Sequence, residues 1–583
     1  MPHRAQPLRA TVVALLLTAS MAAAQSVTPI HAVQGSGAET PLGTQTVTIE
    51  AVVTASFAGA GGLGGFYVQE EAADWDDDPA TSEGLFVADT ETRVTPGDLV
   101  RVTGTAGEPY GQTALENPAT EILASGVPLP PVTPAPLPVE RQGDWERLEG
   151  MPIRLDGPLV ANDLYNLGRY GEVLLSSGGR LRTPTDVAAP GDAARAVERR
   201  NARRSIVLDD GRNTQNATPV PHGITPSRPI RAGDTLETVT GILAYGFGRY
   251  RLHPTQAVAF EPSNPRPAVP DLDGDVRLVT LNVQNHFVTL DTSGAGCGPS
   301  GQLDCRGADS TAEFELQTAK LAAVLHALQP DIVALVETEN DGGEAAQVLA
   351  DALSKAAGAT YQVVPGGPYG TDAIRQAFLY RPDVVGLEGD TEVLDETADP
   401  RYASSKNRPA LAQAFTHHAS GETFVVVANH LKSKGSSCRD VGDRDQGDGQ
   451  GNCSGVRSDA ARAMVDWLPA TFGETLADRA LITGDLNAYR MEDPIGILQD
   501  AGFEDLLPPE AHTYVFFGQA GRLDHALAAP ALAPHAQAAV WHVNSDEARL
   551  FDYNLEYDPE AFKSGGLHRS SDHDPILIVL TFD

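Results

Sequence analysis

The residues able to do chemistry in this chain fall at the ends of apolar runs in its C-terminal half. "VRLVTLNVQN" closes on Asn282, Gln284 and Asn285, and "DIVALVETEN" on Glu337, Glu339 and Asn340. "TFVVVANHLKSK" closes on Asn429, His430, Lys432 and Lys434, and "ALITGDLNA" on Asp485 and Asn487. "GRLDHALAA" carries Asp524 and His525, while "SSDHDP", with Asp572, His573 and Asp574, precedes the final run. Taken singly, an Asp or Asn after a strand is a turn former. Six such positions on buried-strand patterns point instead to one rim, because the loop ends of one sheet converge. On this reading five strands deliver polar residues at their ends and a sixth receives them at its start.

Residue type then selects the chemistry. Carboxylates and carboxamides without thiolates suit a hard divalent cation such as Mg2+, Mn2+ or Ca2+. The histidines add proton transfer near neutral pH. The sequence contains no serine-nucleophile elbow, no HExxH zinc motif and no phosphate-loop lysine motif. Phosphodiester hydrolysis fits this set: positive charge stabilises the phosphate, and a carboxylate or imidazole orients the attacking water.

These residues need a scaffold, and the texture of the chain supplies one. From Val276 to the C-terminus, strand-like runs alternate with helical patterns, such as Leu321, Val324, Leu325 and Leu328 ended by Pro330. Residues 276–583 therefore read as an α/β domain. Residues 25–126 read as a small β-barrel or sandwich. In "TVTIEAVVTASF", Val47, Ile49, Ala51 and Val53 share one face, and Gly, Pro and Asp clusters separate the short strands that follow. The proline-rich residues 127–146 read as a stiff linker. A second β-rich domain follows at 147–262, and its "GDTLETVTG" echoes "GDLVRVTG" of the first. Residues 263–275 form a further linker. The basic run "RRNARR", residues 199–204, reads either as a solvated loop or as a nucleic-acid contact.

Composition bounds the partners. Formal net charge is -36, which excludes holding nucleic acid by bulk positive charge. A polyanionic substrate would need a local basic patch or a divalent ion. Residues 1–24 read as a secretory signal: Arg4 and Arg9 precede an apolar run, and Ala22, Ala23 and Ala24 offer a cleavage site. That run is shorter than the roughly 20 residues a membrane span requires. A secreted, periplasmic or cell-surface monomer without membrane insertion is expected. An exported chain meets oxidising conditions, so Cys297–Cys305 and Cys438–Cys453 are the favoured pairs among three possible connectivities. The enclosed "DRDQGDG" resembles an oxygen-lined Ca2+ loop and reads equally as a plain acidic loop.

Taken in order, "LNVQN", "LVETEN", "NHLKSK", "GDLNA", "RLDHAL" and "SDHDP" resemble the motifs of the endonuclease/exonuclease/phosphatase family, which includes pancreatic-type deoxyribonuclease and neutral sphingomyelinases. "CRGADSTAEFELQ", "YGTDAIRQAFLYRP", "GDGQGNC" and "TYVFFGQAGRLDHALA" are similar to large secreted bacterial nucleases with an N-terminal OB-type domain. The resemblance implies a four-layer α/β sandwich, two packed sheets flanked by helices, after one or two OB-like barrels. It also implies roles. Glu337 would bind the metal, Mg2+ or Mn2+, with Asn282 and Asp572 beside it. Asp485 would activate water and Asn487 hold the phosphate. His573, fixed by Asp524, and His430 would be the acid–base histidines. Arg408 and Lys432 would contact phosphates. Ile374 stands where relatives support the second histidine with a glutamate, and Asp372, expected on the same strand face, is the substitute. Asp574 and His525 are expected to be structural. The implied activity is hydrolysis of DNA, with RNA a further substrate. The alternatives are a phospholipid phosphodiesterase, against which the absence of an aromatic-rich hairpin counts, and a catalytically dead binding protein.

Overall fold

A computed structural model describes residue 1 and residues 26–582. Residues 2–24 of the expected signal lie outside the described residues.

Two closed β-barrels open the chain, and they share one topology. In the first, strands Thr46–Ser56, Phe66–Gln69, Gly84–Val87, Ala114–Ser125 and Asp98–Gly107 follow one another around the barrel. Only the contact between the third and fifth strands in chain order, Gly84–Val87 with Ala114–Ser125, is parallel. The second barrel repeats this order with Pro152–Asp163, Val173–Ser177, Ser205–Leu208, Arg249–Pro254 and Thr235–Gly246, and again the third and fifth strands run parallel. Both are OB-like, five-stranded barrels of mixed pairing. The echoing "GDLVRVTG" and "GDTLETVTG" segments supply the fourth strand of each. The proline-rich stretch is no free linker: Thr133–Ala135 pairs in parallel with Ile153–Leu155 on the edge of the second barrel.

The C-terminal part holds two six-stranded sheets. One runs Gln362–Val363, Ile374–Tyr380, Ile332–Glu339, Val276–His286, Ile576–Leu580, Ala536–Val540. The other runs Val385–Leu394, Ala410–His417, Thr423–His430, Ala480–Asp485, Asp524–Ala528, Glu504–Asp505. Strand alternation explains their packing, since successive side chains face opposite sides. Leu278 and Ile332 of the first sheet meet Phe415, Val426 and Leu481 of the second between the sheets. Their neighbours Val279 and Val333 face outward onto Leu321, Val324 and Leu349 of helices Thr311–Leu328 and Glu344–Ala357. Outside the second sheet, Val425, Val427 and Ile482 pack on Met464 and Trp467 of helix Ser454–Phe472. The result is the expected four-layer α/β/β/α sandwich.

Strand direction decides where the polar ends gather. Val276–His286 is parallel to Ile332–Glu339, and Thr423–His430 is parallel to Ala480–Asp485. Ile576–Leu580 and Asp524–Ala528 run antiparallel to these neighbours. Four strands therefore end at one rim and two begin there. This corrects the expected five and one: Asp524 opens its strand, paired with Asp485.

The second barrel is joined tightly to the sandwich. Arg180 pairs with Asp546 at 2.8 Å, Arg231 with Glu547 at 2.8 Å, and the Thr185 hydroxyl donates to Glu492 at 2.6 Å. Among the described residues, no helix is long and apolar enough to cross a membrane.

Candidate active site

The rim opens into a cleft of about 780 Å³, lined by residues of both sheets and of the second barrel. Glu337 lies at its centre with a left-handed backbone (φ 69°), where the register between its strand and Ile374–Tyr380 breaks. Gln284 (φ 53°), Asn285 (φ 55°) and Asn487 (φ 47°) share that conformation. Such geometry is uncommon for residues other than glycine, and it persists only where surroundings enforce it, often at functional sites.

Hydrogen bonds fix the Glu337 carboxylate. Asn282 Nδ2 donates to Oε1 at 3.0 Å, and the Asn285 N–H donates to Oε2 at 3.2 Å. Asn282 Oδ1 in turn accepts the Gln284 N–H at 2.9 Å, so Asn282 orients Glu337. His430 Nε2 stands 3.7 Å from Glu337 and 3.6 Å from Asp485. Ligand atoms of Glu337, His430 and Asp485 lie within 4.8 Å of one another, and Asp572 lines the same cleft. The carboxylate oxygens of this set fit a hard divalent cation, with the His430 imidazole alongside rather than among the ligands. Burial, and then the Asp572 carboxylate, push the Glu337 carboxyl up. A bound cation would relieve that penalty.

The two histidines are set in opposite states. Burial, with the Arg408 guanidinium next, holds His430 well below the ordinary imidazole value, so it is neutral at pH 7. Burial also disfavours the charged form of His573. The Asp524 carboxylate, 2.7 Å from Nδ1, and Asp572 and Asp485 beyond it outweigh burial and raise His573 well above that value. The Tyr514 ring stacks on His573 at 4.5 Å, and the Ser571 hydroxyl accepts its backbone N–H at 3.1 Å. With Nδ1 on Asp524, Nε2 is the nitrogen left for the cleft. Burial lifts Asp485 to about 7, with His573 opposing and Asp524 adding to the rise. The Asn487 N–H donates to Asp485 at 2.8 Å, while Asn487 Nδ2 is engaged by Leu431 O and Asp485, both at 3.2 Å. As placed, Asn487 orients Asp485 before it can meet a phosphate.

The positive groups need correction. Arg408 and Lys432 line the cleft. Asp372 does not support His430: it precedes the strand, and it accepts Arg408 Nε at 2.9 Å, with Arg306 at 3.5 Å. His430 Nδ1 is buried without a hydrogen-bond partner. Lys434 is not available to substrate, because its ammonium is fixed by Glu492 at 2.5 Å and Gln450 O at 2.6 Å. Asp574 is structural, accepting from the N–H groups of Asn544 and Ser545 at 2.8 and 2.9 Å and pairing with His542 at 2.9 Å. His525 is structural too, with Nε2 2.8 Å from Ala488 O.

The disulfides Cys297–Cys305 and Cys438–Cys453 are those expected. The loop closed by the second is held by its own hydrogen bonds and by the second barrel. Asp445 and Asp448 accept N–H groups of their own turns at 2.7 and 2.9 Å, and Gly447 O accepts Arg195 of the second barrel at 2.8 Å. The basic run lies on helix Asp192–Arg203, with Arg204 donating to Ser177 O at 2.6 Å and Arg180 O at 2.7 Å. Arg195 of the same helix, outside that run, reaches the cleft.

Sequence reasoning missed an aromatic hairpin. Strands Tyr514–Phe516 and Gln519–Gly521 carry Phe516 and Phe517, 51% and 62% exposed with ring centroids 4.3 Å apart, at the cleft mouth. The run "TYVFFGQ" was the available signal. Lys320 was missed as well. It is buried on the outer helix and holds the approach to "SSDHDP" by donating to Gly566 O and His568 O at 3.0 and 2.8 Å.

Paired carboxylates, one neutral and one charged imidazole and a guanidinium around a single cleft define a hydrolase of phosphate esters. The chain belongs to the endonuclease/exonuclease/phosphatase family: that family's sequence model matches residues 279–573, just over half of the chain. A second, described only as a domain of unknown function, matches residues 143–264, the second barrel. No curated protein matches the chain. Similar solved structures include the endonuclease/exonuclease/phosphatase of Bacteroides vulgatus (16% identity, 52% of this chain and 98% of that chain, TM-score 0.32). The human Nocturnin catalytic domain with bound sulfate is another (16%, 52% and 94%, 0.31). So is TDP2 of D. rerio with a single-strand DNA product (15%, 52% and 97%, 0.31).

Proposed function

We propose that this chain is a secreted, metal-dependent nuclease that hydrolyses the phosphodiester bonds of DNA, and of RNA as a second substrate, acting as a monomer. The observation that carries this reading is the convergence of the His573–Asp524 pair, the Glu337–His430–Asp485 cluster and Arg408 on one cleft.

The residues divide the work. Asp485, poised at about 7, takes a proton from the attacking water. His573, charged, donates from Nε2 to a phosphate oxygen as its charge grows. Arg408, anchored by Asp372, and Lys432 hold the phosphates. Glu337 and Asp572, with the neutral His430 alongside, would hold Mg2+ or Mn2+. Such an ion supplies positive charge to the phosphate.

The chain's strong negative charge makes this local patch the docking point for a polyanion. Tyr514, Phe516 and Phe517 offer rings on which unpaired bases stack. The same exposed hairpin is the observation that favours the second reading, a phospholipid phosphodiesterase. Its tip argues against that. Gly518 sits so close to Leu174, Asp163 and Asn162 of the second barrel that an added Cβ would approach them to 2.6, 3.1 and 3.3 Å. The hairpin tip thus packs on the second barrel while Phe516 and Phe517 line the cleft, which supports base stacking over insertion into a membrane.

The test is hydrolysis of supercoiled plasmid, linear duplex, single-stranded DNA and RNA, each with Mg2+, Mn2+, Ca2+ or EDTA. Cleavage of nucleic acid that stops in EDTA is expected. Inert nucleic acids together with phosphocholine release from lipid would establish the second reading instead.

A further inference from the structure

The first barrel carries a second convergence of ligand-type atoms, far in sequence from the cleft and unused by the hydrolysis. His31 lies on the short helix Ile30–Gln34. Glu70 follows strand Phe66–Gln69, Glu83 precedes strand Gly84–Val87, and Asp76 lies on the acidic loop between them. His31 Nδ1 is 3.7 Å from Glu70 Oε2, 3.8 Å from Asp76 Oδ2 and 3.8 Å from Glu83 Oε2.

The burial of two of these carboxylates is what demands an occupant. Glu70 and Glu83 are only 5% and 6% exposed. One oxygen of each is committed, Glu70 Oε1 to the Ile30 N–H at 2.8 Å and Glu83 Oε1 to the Asp76 N–H at 3.2 Å. The other oxygens, and His31 Nδ1, are buried and receive no hydrogen bond from any N–H or O–H group. Among the described residues, no Lys or Arg pairs with Glu70, Asp76 or Glu83; the His31 imidazole is the one basic group beside all three. Buried carboxylates left this way are costly, and native proteins pair them or coordinate them to a metal. The loop is also built to hold its shape. Thr81 Oγ1 donates to Asp76 Oδ2 at 3.1 Å, and Trp75 Nε1 donates to Glu70 O at 3.0 Å.

We propose that His31, Glu70, Asp76 and Glu83 form a binding site for a divalent first-row transition ion, of the Zn2+ or Mn2+ type. One imidazole among carboxylates favours such ions over Mg2+ and Ca2+. Tetrahedral coordination with bonds of about 2.05 Å sets ligand atoms roughly 3.3 Å apart, so the carboxylate oxygens would move about 0.4–0.5 Å closer to His31 Nδ1 on binding. The ion crosslinks the N-terminal helix and the acidic loop to the barrel, a structural role separate from hydrolysis.

The experiment uses the full chain, stripped with EDTA and reloaded with Zn2+ or with Co2+ as a spectroscopic probe. Bound metal per chain is measured by mass spectrometry, and Tm is followed with and without the ion. His31→Ala and Glu83→Gln should each bind one equivalent less Zn2+ than wild type, lose the Co2+ absorption band and lose a metal-induced rise in Tm. Both should hydrolyse phosphodiesters in Mg2+ at the wild-type rate. Glu337→Gln, altered only in the cleft, should keep the Co2+ band. Glu83→Gln preserves shape and carries the test if His31→Ala folds poorly. Equal metal content and equal Tm response in wild type and Glu83→Gln would overturn the proposal and leave the carboxylates sharing a proton.

Discussion

Replacing Asp524 by asparagine should expose how much of the chemistry depends on a charged His573. The two side chains meet at 2.7 Å, both buried, with the Tyr514 ring closing one face of the imidazole. Charge centres about 4 Å apart at an effective dielectric near 20 interact by about 4 kcal/mol. Loss of that attraction lowers the imidazole's protonation constant by about 10³, since each 1.36 kcal/mol is a factor of ten. The amide can also present Nδ2 to Nδ1 and place the ring in the wrong tautomer. Single-turnover cleavage of a labelled oligonucleotide at pH 7 should therefore fall by about 10²–10³, within the range for a lost acid–base group. The deficit should shrink as pH falls below 7, because lower pH restores the imidazolium. Stability has a definite sign as well. The folded pKa of His573 is raised, so its contribution is complete below the unfolded value near 6.5 and is lost as pH rises through the folded value. Asp524→Asn should then destabilise more at pH 6 than at pH 10. A rate loss under tenfold, or one that does not change with pH, refutes the charged-histidine assignment.

His573→Ala and Glu337→Ala should each lose at least about a hundredfold in rate while keeping a wild-type circular-dichroism spectrum. Asp372→Asn should raise KM by about tenfold with kcat little changed, because Arg408 loses a charge-assisted hydrogen bond of about 1.5–3 kcal/mol. Phe516→Ala with Phe517→Ala should raise KM for single-stranded DNA roughly tenfold and leave a small chromogenic phosphodiester unaffected, given about 1–3 kcal/mol per stacked base. In EDTA, stability should fall as pH rises from about 4 to 7, since folded Asp485 keeps its proton up to about 7 and the unfolded chain releases it near 3.9. Urea midpoints across that range check this, and added Mg2+ should flatten the slope.

Much of the site was legible because its strands are buried on both faces. Continuous apolar runs marked Val276–His286, Ile332–Glu339, Thr423–His430 and Ala480–Asp485, and the polar residues at their ends had one rim to share. The paired barrels were legible through the "GD…VTG" echo. Strand direction was not: nothing in "RLDHALA" says that Asp524 opens its strand. Nor was the division of the cations. Lys432 and Lys434 alternate on the chain, yet only the fold shows Glu492, 58 residues on, neutralising Lys434. Two-residue spacing from Ile374 puts Asp372 on the same face only if the strand extends back to it. It lies before the strand, where Arg408 reaches it. The left-handed backbone at Glu337 follows from a register break, which local sequence does not encode.

The most direct measurement is cleavage of single-stranded DNA by the wild-type chain and by Glu337→Gln, each with Mg2+ and with EDTA. Hydrolysis by the wild type in Mg2+ alone, with the variant at least about a hundredfold slower, is the predicted result. Equal cleavage by wild type and variant, or cleavage undiminished in EDTA, would contradict a metal-dependent site at this rim.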